Sequence, residues 1–156
     1  MKFRNSFLLS HDIDWFCRIG NIPIHGASFG GNIPIIANDE KKMVDILLSI
    51  YKLNDNQVGE ISINEDYLKS IGIENDERDN YLSSFVFYAK RGFYSYDRVI
   101  THEDDNLEFN KRLKYTLVAF PKTNSIDNDI FSMLPICQEI ENWDKKEIPV
   151  QLFSVV

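Results

Sequence analysis

The fold class that this sequence predicts is α+β: a mainly antiparallel sheet with helices packed on one face. Three observations lead there. Short runs with β-type side chains stand at the start and in the second half of the chain, around two amphipathic helical stretches. The resulting order of strands, helix, strand, helices and strands lacks the regular alternation of a doubly wound parallel sheet. Apolar residues make up 44% of the chain and aromatic residues 13%, which is enough to fill one core. Turn signals punctuate the 156 residues without a linker, repeat or low-complexity tract, so residues 1–156 read as one domain.

Residues 2–9 read as a first strand. Residues 12–28 read as a β-hairpin around Gly20-Asn21. A two-residue turn there pairs Ile19 with Ile22, Cys17 with Ile24 and Trp15 with Gly26. One face then carries Ile13, Trp15, Cys17, Ile19, Ile22 and Ile24, and the other carries Asp12, Asp14, Phe16, Arg18, Pro23 and His25. A slip of one residue would mix the two sets, so the sorting supports this register. It places Trp15 and Cys17 in the core and leaves Asp14 and His25 on the outside.

Gly26–Asn38 forms a Gly-rich connector, and Asn38 is positioned to cap a helix over Asp39–Leu53. Met43, Val44, Leu47, Leu48, Ile50 and Tyr51 form its apolar stripe. A short strand over Val58–Ile63 and a short helix over Asn64–Ile71 follow. The second long helix spans 76–91, with Tyr81, Leu82, Phe85, Val86, Tyr88 and Ala89 on one side and Gly92 beyond its end. Strands over 93–101 and 112–120 flank an acidic loop at 102–110. A helical segment over 125–134 and a closing strand over Ile148–Val155 complete the chain.

The formal charge is −7, and it is unevenly placed. Asp55, Glu60, Glu65, Asp66, Glu74, Asp76, Glu77 and Asp79 stand against Lys69 and Arg78, so eight minus two leaves −6 within residues 55–79. Such a surface repels nucleic acid and anionic membrane and attracts basic proteins. No run approaches the roughly 20 apolar residues of a membrane span. The apolar run at Phe7–Leu9 is too short for a signal peptide, and Asp12 and Asp14 follow it. A cytoplasmic location is the expectation, with Cys17 and Cys137 as reduced thiols.

Three motifs bear on chemistry. Gly26-Ala27-Ser28-Phe29-Gly30 has the G-x-S-x-G form of a hydrolase nucleophile elbow, but Gly31-Asn32-Ile33-Pro34 is a poor helix start and only His102 lies downstream. The same glycines lack the Lys-Ser/Thr of a phosphate-binding loop. His11, Asp12, Asp14 and His25 cluster at the hairpin. Asp14 and His25 are diagonal neighbours on one face, which suits a general base with its orienting carboxylate, part of a metal site, or a plain surface His–Asp pair. The plain pair is the expectation, with no metal and no cofactor. Lys90, Arg91, Phe93, Tyr94, Tyr96 and Arg98 interleave cations with aromatic rings, and Lys111, Arg112 and Lys114 face them if the late strands pair. That pattern suits single-stranded RNA, although the overall acidity opposes it.

The stretch Asp12–Ser28, with Arg91–Arg98 later, resembles small bacterial α+β proteins to which no activity attaches. In size and acidity the chain is also similar to immunity proteins of toxin systems. The expected function is therefore a protein-binding module for a basic partner, with Glu74, Asp76, Glu77 and Asp79 as contact residues. No DNA or membrane binding is expected, and no pattern bears on oligomeric state. The alternatives are a small hydrolase or metal-dependent enzyme using Ser28, or Asp14 with His25, and RNA binding through residues 93–98.

Overall fold

The computed structural model describes residues 1–54, 58–98 and 114–153. Gly20 supplies a positive φ of 56° at the first turn position, as a type II′ hairpin requires. It joins β1 (Asp14–Ile19) to β2 (Ile22–Ala27). The register follows the sequence pattern, with Ile19 opposite Ile22, Cys17 opposite Ile24 and Trp15 opposite Gly26. Gly26 is needed there because a Cβ would stand 2.2 Å from the Trp15 indole.

Four more strands, β3 (Ile61–Ile63), β4 (Tyr94–Arg98), β5 (Tyr115–Pro121) and β6 (Ile136–Cys137), complete a sheet in the order β3-β5-β4-β2-β1-β6. The pairs β1–β2, β3–β5 and β4–β5 are antiparallel. The pairs β2–β4 and β1–β6 are parallel, so the α+β sheet is mixed, with antiparallel pairs the more numerous. The parallel pairing of β2 with β4 arises because the chain between them crosses over the sheet. That crossover contains α2 (Glu40–Tyr51), β3, α3 (Glu65–Ser70) and α4 (Asn75–Lys90). A short helix α5 (Asn128–Met133), capped by Asp127, leads into β6.

Both faces of the central strands are covered. On the Trp15 face the covering chain is mostly irregular. The Tyr96 hydroxyl donates to the Lys145 carbonyl at 2.6 Å, the Tyr115 hydroxyl donates to the Asn32 carbonyl, and Phe153 stacks on Tyr115. On the Phe16 face, α4 lays Leu82, Phe85, Tyr88 and Ala89 inward. There the Tyr88 ring meets Phe16 and lies 3.9 Å from the His25 ring. The helix α2 lies beside α4, with Tyr51 against Phe87 and the Met43 sulfur accepting from the Phe16 amide. A bulge between Ser95 and Tyr96 turns both Val118 and Ala119 towards α4.

Several local expectations need correction. Residues 2–9 are not a strand, because Asn5–Ser10 is a helix, α1. Phe3, Phe7 and His11 stand four residues apart, and their rings stack in series, a helical rather than an extended relation. The cap of α2 is Asp39, which accepts from the Lys42 amide, while Asn38 accepts from the Phe3 amide and ties down the N-terminus. The buried face of α2 is Met43, Ile46 and Ile50, with Val44, Leu48 and Tyr51 exposed. In place of a closing strand, Glu147 makes one antiparallel bridge to Thr116 and Val150–Phe153 is a 3-10 turn, led by Pro149. The acidic loop at 102–110, Asp55, Lys111, Arg112 and the chain end at 154–156 lie outside the described residues.

Candidate functional site

The hairpin register and the crossover together build one polar chain under α4. Asp14 opens β1 and is diagonal to His25 on β2. The parallel pairing puts Ser95 of β4 directly opposite His25. Tyr88 of α4 closes over the imidazole from above. His25 Nε2 lies 2.8 Å from Asp14 Oδ1, and Nδ1 lies 2.6 Å from Ser95 Oγ. The Tyr88 hydroxyl donates to Asp14 Oδ2 at 3.3 Å. An ionised carboxylate only accepts, so the Nε2 proton points to Asp14, and a neutral ring then accepts from Ser95 at Nδ1. Every polar atom of the ring is satisfied.

The pair predicted on the outside is therefore mostly inside. His25 and Ser95 are 0% exposed, and only Asp14 keeps a side chain 36% exposed. The correction has a physical cause: α4 covers the face that the hairpin alone would leave in water. Burial by itself would raise the Asp14 pKa, but the hydrogen bond from His25, helped by the Tyr88 hydroxyl, holds it below the usual carboxylate value. Burial and the nearby Asp14 charge push the Tyr88 phenol upwards.

Serine, histidine and aspartate in series are the parts of a hydrolytic triad, but their orientation is reversed with respect to solvent. Triad chemistry needs the hydroxyl to meet a substrate while the carboxylate lies behind the ring. Here the carboxylate faces water and the Ser95 hydroxyl is sealed beneath α4. This chain can pin β1, β2, β4 and α4 together and display one negative charge.

A second carboxylate lies on the same face, across Ala27 from Asp14. Asp97 accepts from the Tyr81 hydroxyl at 2.6 Å. Burial raises its pKa to about 6, against the opposing Tyr81 hydrogen bond and with a further contribution from the Asp12 charge. Ser95, Tyr88, Tyr81 and Asp97 carry no signal in the sequence that singles them out. The adjacency of β4 to β2 reveals Ser95 and Asp97, and the docking of α4 reveals Tyr81 and Tyr88.

Ser28 is fully buried. Its Oγ accepts from the Ile13 amide at 2.8 Å and donates to the His11 carbonyl, which staples the end of β2 to the start of β1. Among the described residues no histidine ring bonds to it. His11 is separate from the Asp14–His25 pair, stacked on Phe7 at 4.0 Å. No group of three or more His, Cys, Asp or Glu among the described residues is arranged to hold a metal.

The acidic segment runs from Glu60, just before β3, through α3 to the first turns of α4. Glu60, Glu65, Asp66, Glu74, Asp76, Glu77 and Asp79 are all exposed. Arg78 is engaged by Glu65 through two hydrogen bonds, at 2.8 and 2.5 Å. Within residues 58–79, seven acidic side chains less Lys69 and Arg78 leave −5. The aromatic–basic strand is dismantled by contrast. Phe93 and Tyr96 are core residues, Arg91 lies over Phe87, and Lys114 pairs with Glu147. Arg98 is buried, with its guanidinium on the carbonyls of Ser28 and Phe29. Tyr94, stacked on Phe120 with Lys145 above it, is the half-buried remainder.

No family model, curated protein or solved structure matches the chain. Among the described residues no helix is long and apolar enough to cross a membrane.

Proposed function

We propose that this chain is a protein-binding domain that presents the acidic surface of α3 and the start of α4 to a basic protein partner. Its role would be that of a bacterial immunity protein covering a cytoplasmic toxin. The observation that carries the reading is the exposure of all seven carboxylates between Glu60 and Asp79 around only two cations, one of them engaged by Glu65. Charge of one sign on one surface steers an oppositely charged partner and accelerates encounter. Glu74, Asp76, Glu77 and Asp79, in and beside the first turn of α4, are the contacts to test first.

The enzyme reading has less support, since Ser28, His25 and Ser95 are all sealed from solvent. The RNA reading loses most of its strand to the core. The deciding experiment is affinity capture from the source organism with the wild-type chain and with Glu74, Asp76, Glu77 and Asp79 all changed to Lys. The wild type is expected to retain a basic protein that the reversed variant loses and that high salt releases. Equal retention by both, or no basic protein at all, would overturn the proposal. Ester and phosphoester turnover that disappears in Ser28→Ala or His25→Ala would restore the enzyme alternative.

A further inference from the structure

We propose that Phe29 is the apolar anchor of this partner-binding surface, its ring entering an apolar socket on a basic protein whose cations meet the neighbouring carboxylates. The inference rests on the acidic-surface reading and adds the residue that would dominate the contact. Phe29 has a φ of +44°, a left-handed conformation that is uncommon for any side chain except glycine and is strained for a bulky one. Its ring is 55% exposed, so it returns little burial for that strain. Glycine or asparagine would build the same turn more easily. The fold therefore does not call for an aromatic ring here.

The backbone around the ring is clamped. Arg98, itself buried, donates from Nε to the Ser28 carbonyl and from Nη2 to the Phe29 carbonyl, each at 2.8 Å. The Phe29 amide donates to Asp12 at 2.9 Å, and Gly30 donates to the His11 carbonyl. Gly30 also rests on the Leu9 carbonyl at the end of α1, where Leu9 is itself exposed. A rigid, strained turn that holds an aromatic ring in water has the form of a preorganised hot spot, because little ordering remains to be done on binding. The turn also lies towards the α4 end of the acidic surface: Arg98, which holds the Phe29 carbonyl, follows Asp97 on β4, and Asp97 accepts from Tyr81, two residues beyond Asp79 on α4.

The test places the photo-crosslinker p-benzoylphenylalanine at position 29 in one full-length protein and at position 76 in another, each irradiated in cells of the source organism. The expected result is one basic protein crosslinked from both sites. Position 29 should map to an apolar pocket of that protein. With the purified partner, Phe29→Gly should weaken binding at least about tenfold, as loss of an aromatic hot spot does. Its melting temperature should equal or exceed the wild type, because the strain is relieved. Phe29→Asn, which also tolerates the left-handed region, should behave alike. Crosslinking from position 76 alone, unchanged affinity, or a melting temperature that falls in both variants would overturn the anchor and leave the acidic surface standing. No crosslink from either position would overturn the acidic-surface reading itself.

Discussion

Replacing Asp97 by Asn should make the protein more stable at neutral pH, and the gain should vanish in acid. In the folded chain the carboxyl titrates near 6, raised from 3.8 by burial. A folded value above the unfolded one means that the native state holds the proton more tightly. Stability from this group is therefore complete below pH ~4 and is lost as pH rises through 6. At pH 7 the shift of roughly two units corresponds to about 3 kcal/mol at most, using about 1.4 kcal/mol per unit. Asn keeps an acceptor for the Tyr81 hydroxyl; the stronger bond to the carboxylate is already contained in the net shift, and screening by water at this partly exposed side chain lowers the gain. The net gain should be about 1–2 kcal/mol at pH 7, or roughly 3–6 °C in melting temperature for a chain of this size. At pH 4 the linkage contribution should shrink below about 1 kcal/mol. Urea unfolding of both proteins at the two pH values measures this directly. No gain at pH 7, or an equal gain at both, would refute the assignment of a buried, unfavourable charge to Asp97.

Three other perturbations test the packing. Gly26→Ala drives a methyl group into the Trp15 indole and should cost about 3 kcal/mol in urea unfolding, at the upper end for overpacking; a loss under about 1 kcal/mol would mean that Trp15 moves aside freely. Ile46→Ala should cost about 3 kcal/mol while Leu48→Lys changes stability by less than about 0.5 kcal/mol, and the opposite ranking would put α2 in the register that its sequence stripe suggested. Cys17 is buried and its thiol pKa is pushed far up by that burial and by Cys137, which is itself only half-buried. The native protein should therefore take up one equivalent of a thiol reagent slowly, at Cys137, and two only when unfolded. Rapid labelling of both sites would contradict the packing around β1.

The parts of the site that were legible in the sequence depend on contacts between residues close in the chain. The Gly20-Asn21 turn and the period-two sorting specify the hairpin register, and from it the Asp14–His25 diagonal follows. The same neighbourhood could not show that His25 is buried, because its lid, Tyr88, is 63 residues away on a helix whose docking face is a tertiary property. Ser95 was hidden for a similar reason, since its place beside His25 needs the parallel pairing of β2 with β4. At the N-terminus residues 2–9 read as a strand, yet the spacing of Phe3, Phe7 and His11 matches a helix. On α2 the sequence offers apolar residues on more than one side, and only packing decides that Ile46 goes in and Leu48 stays out. The aromatic–basic strand shows the converse: Tyr96 and Arg98 look like a binding pattern in one dimension and are core and turn clamp in three.

The association rate with the basic partner, measured by stopped flow between ~50 and ~500 mM salt, tests the acidic surface most directly. If the seven carboxylates steer that partner, the rate should fall at least about tenfold across this range. Changing Glu74, Asp76, Glu77 and Asp79 to Lys should make it slow and remove the decline. A rate indifferent to both salt and charge reversal would contradict a function built on this surface.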